Sequence, residues 1–295
     1  MKILASRQFP GPAWDELEDV DYYHGPLAGP RPDIEALAVV GEAIDDRTLE
    51  LFPNLRLVAN YGVGYDGIDV AACAARGVAV TNTPGVLDAA TADLTLALIL
   101  ATRRRVVEGD AFVRSGRWGT DWASTTLLAQ EVTGATLGIV GLGRIGMAVA
   151  RRARGFDMRL LYTKRERLSE AEERELGVEY RLLDDLLREA DIVTIHVPLT
   201  SETELHLDER RLGLLSDGAC FVNTARGAIV DEEALARELV AGRIRAGLDV
   251  FTDEPGVPPE LLELPNVVLT PHLGSATRET REAMTRVLVG NLQAA

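Results

Sequence analysis

The sequence predicts an α/β protein of two domains, the larger built on a doubly wound parallel sheet, and three observations carry that prediction. Short apolar runs alternate with helical patterns along nearly all of the 295 residues, as parallel strands joined by crossover helices require. The alternation lapses between 114 and 130, where Trp118, Trp122 and scattered Gly, Ser and Thr follow no period, and it restarts at Ala135. One glycine-rich turn, Gly141 to Gly146, stands between a strand pattern and a helix pattern, the place where such a turn has chemical meaning.

In the first part, strands are expected at Lys2–Ala5, Ala38–Val40, Leu57–Asn60 and Val78–Thr81, with helical patterns such as Asp46–Phe52 and Val70–Arg76 between them. After Thr83-Pro84-Gly85 one long helix is expected from Asp88 to about Gly109, followed by an extended arm over Arg114–Gln130. The second series gives strands at Thr136–Val140, Arg159–Tyr162, Ile192–His196, Ala219–Asn223, Ala246–Val250 and Val267–Leu269. Helices are expected at Ile145–Arg154, Asp184–Glu189, from Glu204–Leu207 onward, at Glu232–Ala241 and at Arg278–Ala295. Six strands make one complete dinucleotide-binding sheet. The terminal helix has no strand after it, so the first and last segments are expected to share a domain. The division is then a discontinuous smaller domain of 1–91 and 276–295 around a dinucleotide-binding domain of 92–275, with an arm near 110–130.

Composition narrows the partners. Acidic residues number 46 against 31 basic ones, a net charge of −15, which repels nucleic acid and anionic membranes. Any anionic ligand must therefore be held by a local cluster of cations or N–H groups. No run is long and apolar enough to span a bilayer, and the N-terminus opens on a strand without a signal-peptide core. A cytoplasmic enzyme is expected. Cys73 and Cys220 are too few for a zinc cluster or a disulfide framework, no metal site is expected, and Cys220 reads as an inert core thiol.

Four groups of residues carry chemistry. In Gly141-Leu142-Gly143-Arg144-Ile145-Gly146, Gly141 permits the tight turn, Gly143 lets a pyrophosphate approach the backbone, and Gly146 lets helix and strand pack closely. The end of the following strand, Tyr162-Thr163-Lys164-Arg165, lacks the acid that usually bonds the ribose 2′-hydroxyl of NAD. Thr163, Lys164 and Arg165 offer a hydroxyl and two cations, and Lys164 is one of only two lysines in the chain. NADP(H) is the expected preference, with NAD(H) possible; a plain solvated loop is the other reading of the same residues. Gly62-Val63-Gly64 reads either as an anion-binding nest of backbone N–H groups or as a glycine turn leading into a helix. Near the C-terminus, Asn223–Gly227, Asp249–Pro255 and Pro271–Ser275 each present one ionisable side chain at a strand end: Arg226, Glu254 and His272. A guanidinium that grips a carboxylate, a histidine that carries a proton and an acid that tunes it compose a carbonyl-reducing site.

Together these residues resemble the D-isomer-specific 2-hydroxyacid dehydrogenase family, in its glyoxylate/hydroxypyruvate reductase branch. The resemblance runs from about Asn54 to Asn291 and includes Gly62–Asp66, Thr81–Leu87, Gly141–Gly146, His196–Thr200 and the three C-terminal segments. It implies that 92–275 is a Rossmann cofactor domain, its arm near 110–130 used in dimerisation, inserted in a smaller flavodoxin-like α/β substrate domain of 1–91 and 276–295. It also implies that Arg226 clamps the substrate carboxylate, that His272 is the acid/base, and that Glu254 pairs with His272 and raises its pKa. The substrate site would comprise Val63, Gly64, Arg226, Gly274 and Ser275. The cofactor site would comprise Gly141, Gly143, Arg144, Ile145, Gly146, Thr163, Lys164, Arg165, Val197, Pro198, Thr224, Asp249 and Gly274, with Asp249 facing the nicotinamide carboxamide.

The implied activity is NAD(P)H-dependent reduction of small 2-ketoacids to D-2-hydroxyacids, in a homodimer whose arm carries Trp118 and Trp122. The resemblance leaves an NAD-dependent D-lactate- or D-3-phosphoglycerate-type dehydrogenase open, and a dinucleotide-sensing corepressor-like protein. Phosphoglycerate dehydrogenases carry Arg at the position of Asn60, and phosphonate dehydrogenases carry Lys at the position of Val63.

Overall fold

The structure, a computed structural model, describes residues 1–295 and divides into two compact units, Met1–Leu87 with Ser275–Ala295, and Asp88–Gly274. The whole of the helix Asp88–Arg103 goes with the second unit, so the boundary lies before that helix rather than within it at 91–92. No helix is long and apolar enough to cross a membrane.

The first unit holds five strands, β1 (Ile3–Ala5), β2 (Val20–Tyr22), β3 (Ala36–Val39), β4 (Leu57–Asn60) and β5 (Ala79–Thr81). All pair in parallel, in the order β2-β1-β3-β4-β5, which is the flavodoxin-like order. The central strands β3 and β4 are buried along their length, as strands covered on both faces must be. Strand β2 was not expected from the sequence; it is a three-residue edge strand carrying Asp21 and half open to solvent. Aspartate side chains cap the short helices: Asp45 accepts the N–H of Thr48 and Asp69 that of Ala72. The terminal helix Arg278–Gln293 buries Met284, Leu288, Val289 and Leu292 in this unit, and its Arg281 carbonyl accepts the Tyr61 hydroxyl at 2.8 Å.

The second unit holds β6 (Thr136–Val140), β7 (Arg159–Thr163), β8 (Val178–Tyr180), β9 (Ile192–Ile195), β10 (Cys220–Asn223), β11 (Arg245–Leu248) and β12 (Val267–Leu269). Their order is β12-β11-β10-β9-β6-β7-β8, all parallel. The chain order reverses between β6 and β9, the switch point at which doubly wound sheets bind ligands. Successive side chains enter opposite cores: Phe221 and Val193 pack on one face, Cys220, Val222 and Ile192 on the other.

Three expectations are corrected here. The sheet has seven strands, because Val178–Tyr180 adds an edge beyond the six foreseen; it is three residues long and Glu179 interrupts its apolar pattern. The long helix breaks at Arg104–Arg105, where Arg105 adopts φ 54°, and a second helix runs Val106–Arg114. Arg103 is buried, its guanidinium donating to the carbonyls of Glu131 and Asp191, and Arg105 turns to Glu108. Finally, Glu204–Leu207 forms turns, and the helix there is Glu209–Leu212, capped by Asp208. The arm also contains one helical turn, Trp118–Asp121.

Candidate active site

Strands β10, β11 and β12 are neighbours in parallel register, so the loops leaving their carboxyl ends emerge side by side. The first loop begins at Asn223, whose side chain is 2% exposed. Its Oδ1 accepts the N–H of Ala225 at 3.0 Å, and its amide donates to the Arg226 carbonyl at 2.8 Å. That Asx turn fixes the backbone from which Arg226 projects, and Arg226 Nη1 donates to the Ala225 carbonyl at 2.7 Å. Gly227 follows, and a Cβ there would lie 2.0 Å from the carbonyl carbon of Phe251. Only glycine permits this backbone-on-backbone approach of the Arg226 loop to the Glu254 loop.

Glu254 accepts the N–H of Phe251 through Oε1 at 3.1 Å, and its Oε2 lies 2.7 Å from Nδ1 of His272. Burial works to raise the Glu254 pKa. The hydrogen bond and charge of His272, the Phe251 N–H and the charge of Arg226 outweigh it and hold the carboxyl below its usual range. Glu254 is therefore an anion at neutral pH, next to an imidazole whose Nε2 has no partner in the protein.

His272 sits at φ 53°, a left-handed conformation costly for a residue with a side chain. Asp249 holds it there. Its carbonyl accepts the His272 N–H at 2.9 Å. Its fully buried carboxylate accepts the Thr270 hydroxyl at 2.6 Å, the Leu273 N–H at 2.7 Å and the Gly274 N–H at 2.8 Å. Burial pushes the Asp249 carboxyl up in spite of these donors. Gly274 is packed against Thr91 and Asp249.

The glycine turn joins β6 to the helix Arg144–Ala153 at the switch point. Gly141 adopts φ 95°, and a Cβ on it would strike the His196 carbonyl oxygen at 2.6 Å; one on Gly146 would meet the Gly141 oxygen at 2.2 Å. Around a Cβ on Gly143 nothing lies within 4 Å. Two glycines are thus required by packing, and the third leaves open space at a helix N-terminus that no side chain caps. The fit is to a dinucleotide pyrophosphate. Beside it, the His196 ring lies 3.0 Å from the Thr194 hydroxyl, and burial pushes its pKa down to about 3, so it stays neutral. Val197 lines the turn, its Cγ1 2.8 Å from the position of a Gly141 Cβ, and Pro198 follows it, exposed. Thr224, buried, shares a hydrogen bond of 3.0 Å with Thr95.

Past β7, the loop Thr163–Leu168 is pinned at its far end. The Tyr162 hydroxyl accepts the Leu168 N–H and donates to Glu173, and Arg167 makes two bonds to the same carboxylate, at 2.8 and 2.9 Å. The Arg167 bonds hold Glu173 down to about 2. Thr163 and Lys164 are half-buried; Arg165 is exposed and touches Glu202 at 3.4 Å, a pair too solvated to hold it.

In the first unit, Gly62–Gly64 leaves β4. Neither glycine has a positive φ, and a Cβ on Gly62 would meet only Asn60 Nδ2 at 3.7 Å. The N–H groups of Val63 and Gly64 are nonetheless unpaired within the protein. Ser275, half-buried, begins the C-terminal segment of this unit. The sequence assigns no role to the side chains of Asn223, Asn60 and Asn82, which bond backbone groups, to Gly227, which lets two backbones meet, or to Thr270, which bonds the Asp249 carboxylate. Asn223 and Asn60 carry the same local signal, an asparagine at a strand end before a turn.

Comparison with known proteins agrees with this architecture. Residues 96–274 match the model of the D-isomer specific 2-hydroxyacid dehydrogenase NAD binding domain. A glyoxylate reductase of Pyrococcus furiosus is 50% identical over 98% of this chain and 87% of its own. One from Thermococcus kodakarensis is 52% identical over 88% and 79%. Among solved structures, the NADPH-dependent glyoxylate/hydroxypyruvate reductase of Sinorhizobium meliloti in complex with NADP and malonate superposes with TM-score 0.90 at 36% identity, over 99% of this chain and 92% of that one. The D-lactate dehydrogenase of Aquifex aeolicus, with NAD and lactic acid, gives 0.88 at 29%, over 100% and 95%. The chain belongs to the D-isomer specific 2-hydroxyacid dehydrogenase family. It is an NAD(P)-dependent oxidoreductase that reduces 2-ketoacids.

Proposed function

We propose that this protein is an NADPH-preferring reductase of small 2-ketoacids, of the glyoxylate and hydroxypyruvate type, with His272 as its acid. The observation that carries the proposal is the His272–Glu254 pair at 2.7 Å on a loop that Asp249 holds in a strained conformation.

A reduced nicotinamide cofactor bound at the glycine turn supplies the hydride. The chain's own groups do the rest. Arg226 pairs with the substrate carboxylate and polarises the 2-keto oxygen. The N–H groups of Val63 and Gly64 give that carboxylate a second hold, with Gly274 and Ser275 beside it. His272, charged and oriented through Nδ1 by Glu254, delivers the proton of Nε2 to the ketone oxygen. Asp249 has spent three of about four acceptor positions on its own loop; the one left suits the carboxamide N–H₂ of the cofactor. Arg144, Ile145, Val197, Pro198 and Thr224 form the wall and backbone contacts of the same site. Lys164, which makes no ion pair, and Arg165 favour a 2′-phosphate, as does the engagement of the neighbouring Glu173 by Arg167.

Two further readings accompany this one. The exposed Val106, Val107, Val113, Trp118, Trp122 and Leu128 support a homodimer formed through the arm. The two cysteines are free and buried, in keeping with a cytoplasmic location.

The test is a matrix of NADPH and NADH, each against glyoxylate, hydroxypyruvate, pyruvate and bulkier 2-ketoacids. Highest kcat/KM with NADPH and with glyoxylate or hydroxypyruvate supports the proposal. A wide margin for NADH defeats the reading of Thr163-Lys164-Arg165.

A further inference from the structure

The loop Gly62–Gly64 is held from behind by side-chain amides. Asn60 Nδ2 donates to the Gly64 carbonyl at 2.8 Å and to that of Gly62 at 3.2 Å, and the Gly62 carbonyl also accepts the Thr83 N–H at 3.0 Å. Asn82 Nδ2 donates to the carbonyl between them, that of Val63, at 2.9 Å. Asn82 is itself tied, its backbone carbonyl accepting Asn291 Nδ2 from the terminal helix at 3.3 Å. Three consecutive carbonyls are therefore fixed by two asparagines.

In a trans peptide the C=O and the following N–H point in opposite directions. Fixing the carbonyls of Gly62, Val63 and Gly64 thus aims the N–H groups of Val63, Gly64 and Tyr65 away from the asparagines, and none of those three has a partner in the protein. The glycines do not supply this orientation, since neither takes a left-handed φ. Asn60 is 5% exposed, so its N–H₂ has no water to fall back on, and an apolar side chain there leaves the Gly64 carbonyl without that donor.

We infer that Asn60 and Asn82 are positioning residues for substrate: by pinning the carbonyls of Gly62, Val63 and Gly64 they aim a row of N–H donors at the carboxylate of the 2-ketoacid. This rests on the reading of Val63 and Gly64 as carboxylate donors given above. Preorganised donors act on an anion at low cost in reorganisation, so the loss is expected in substrate binding and not in hydride transfer. Asn60 also acts on charge recognition specifically, because a donor row discriminates a carboxylate from its uncharged ester.

The test compares wild type, Asn60→Leu and Asn82→Ala with glyoxylate and with its methyl ester, and measures the Kd of NADPH by fluorescence. The inference predicts a KM for glyoxylate raised about tenfold in Asn60→Leu and somewhat less in Asn82→Ala, as expected for loss of hydrogen bonds to a preorganised anion site. It also predicts kcat within about threefold of wild type, an unchanged NADPH Kd, and a smaller preference for acid over ester. If Asn60→Leu does not fold, Asn82→Ala, which frees only the Val63 carbonyl, decides. An unchanged KM, or equal losses on acid and ester, overturns the inference while the functional reading stands. A wild type that reduces no 2-ketoacid overturns both.

Discussion

Glu254 Oε2 lies 2.7 Å from Nδ1 of His272, which engages Nδ1 with the carboxylate and leaves Nε2 for the proposed proton transfer. Ketone reduction consumes a proton and the reverse oxidation releases one, so the two directions must respond oppositely to pH. The reduction kcat is expected to fall as pH rises and the oxidation kcat to rise.

Because the Glu254 pKa is depressed in the fold, its charge is present above the ordinary carboxylate range and is lost only as pH falls through the lowered value. Glu254→Gln removes the anion at every pH, and the falling limb of the reduction profile should then move to lower pH. Parallel pH–kcat profiles of wild type and variant check this; superimposable limbs contradict the pairing.

Asp249→Ala tests the scaffold. It leaves the Thr270 hydroxyl and the N–H groups of Leu273 and Gly274 without their acceptor and creates a cavity at a fully buried position. A loss of roughly 2–4 kcal/mol in unfolding free energy is expected, together with a fall in kcat, since His272 loses the restraint on its left-handed backbone. Denaturant melts alongside turnover measure both.

Lys164→Ala and Arg165→Ala should raise the KM for NADPH by about tenfold each, if each cation pairs with the 2′-phosphate, and leave the KM for NADH nearly unchanged. The NADPH effect should shrink with added salt, because both side chains are solvent-accessible. Equal effects on both coenzymes would point to a plain solvated loop.

Trp118→Ser with Trp122→Ser is expected to shift the protein toward monomer in light-scattering measurements, since these rings are 59% and 63% exposed within one chain. An unchanged mass would rule the arm out as the interface.

The parts legible in the sequence were those where one residue type answers one physical need. Gly141 and Gly146 are glycines because a Cβ on either would lie 2.6 or 2.2 Å from a backbone oxygen, and the motif reports this directly. Buried parallel strands such as Ile192–Ile195 announce themselves as apolar runs. The break at Arg104–Arg105 was not legible, because no Pro or Gly marks it; it depends on Arg103 and Arg105 finding partners remote in sequence. Strand β8 was hidden by its length and by Glu179. At the candidate site, Arg226, Glu254 and His272 stand out in the sequence by their chemistry, whereas the contacts of Asn60, Asn82 and Gly227 do not. What distinguishes them is which backbone atoms they face, and that is a property of the fold.

His272 is proposed to deliver the proton in reduction of a small 2-ketoacid. The most direct test is single-turnover reduction of glyoxylate with saturating NADPH by wild type and His272→Ala at one pH, with the NADPH Kd of each measured in parallel. Efficient wild-type reduction is expected, with a rate in the variant lower by roughly 10²–10⁴ at unchanged coenzyme affinity. Equal rates in the two proteins would contradict it.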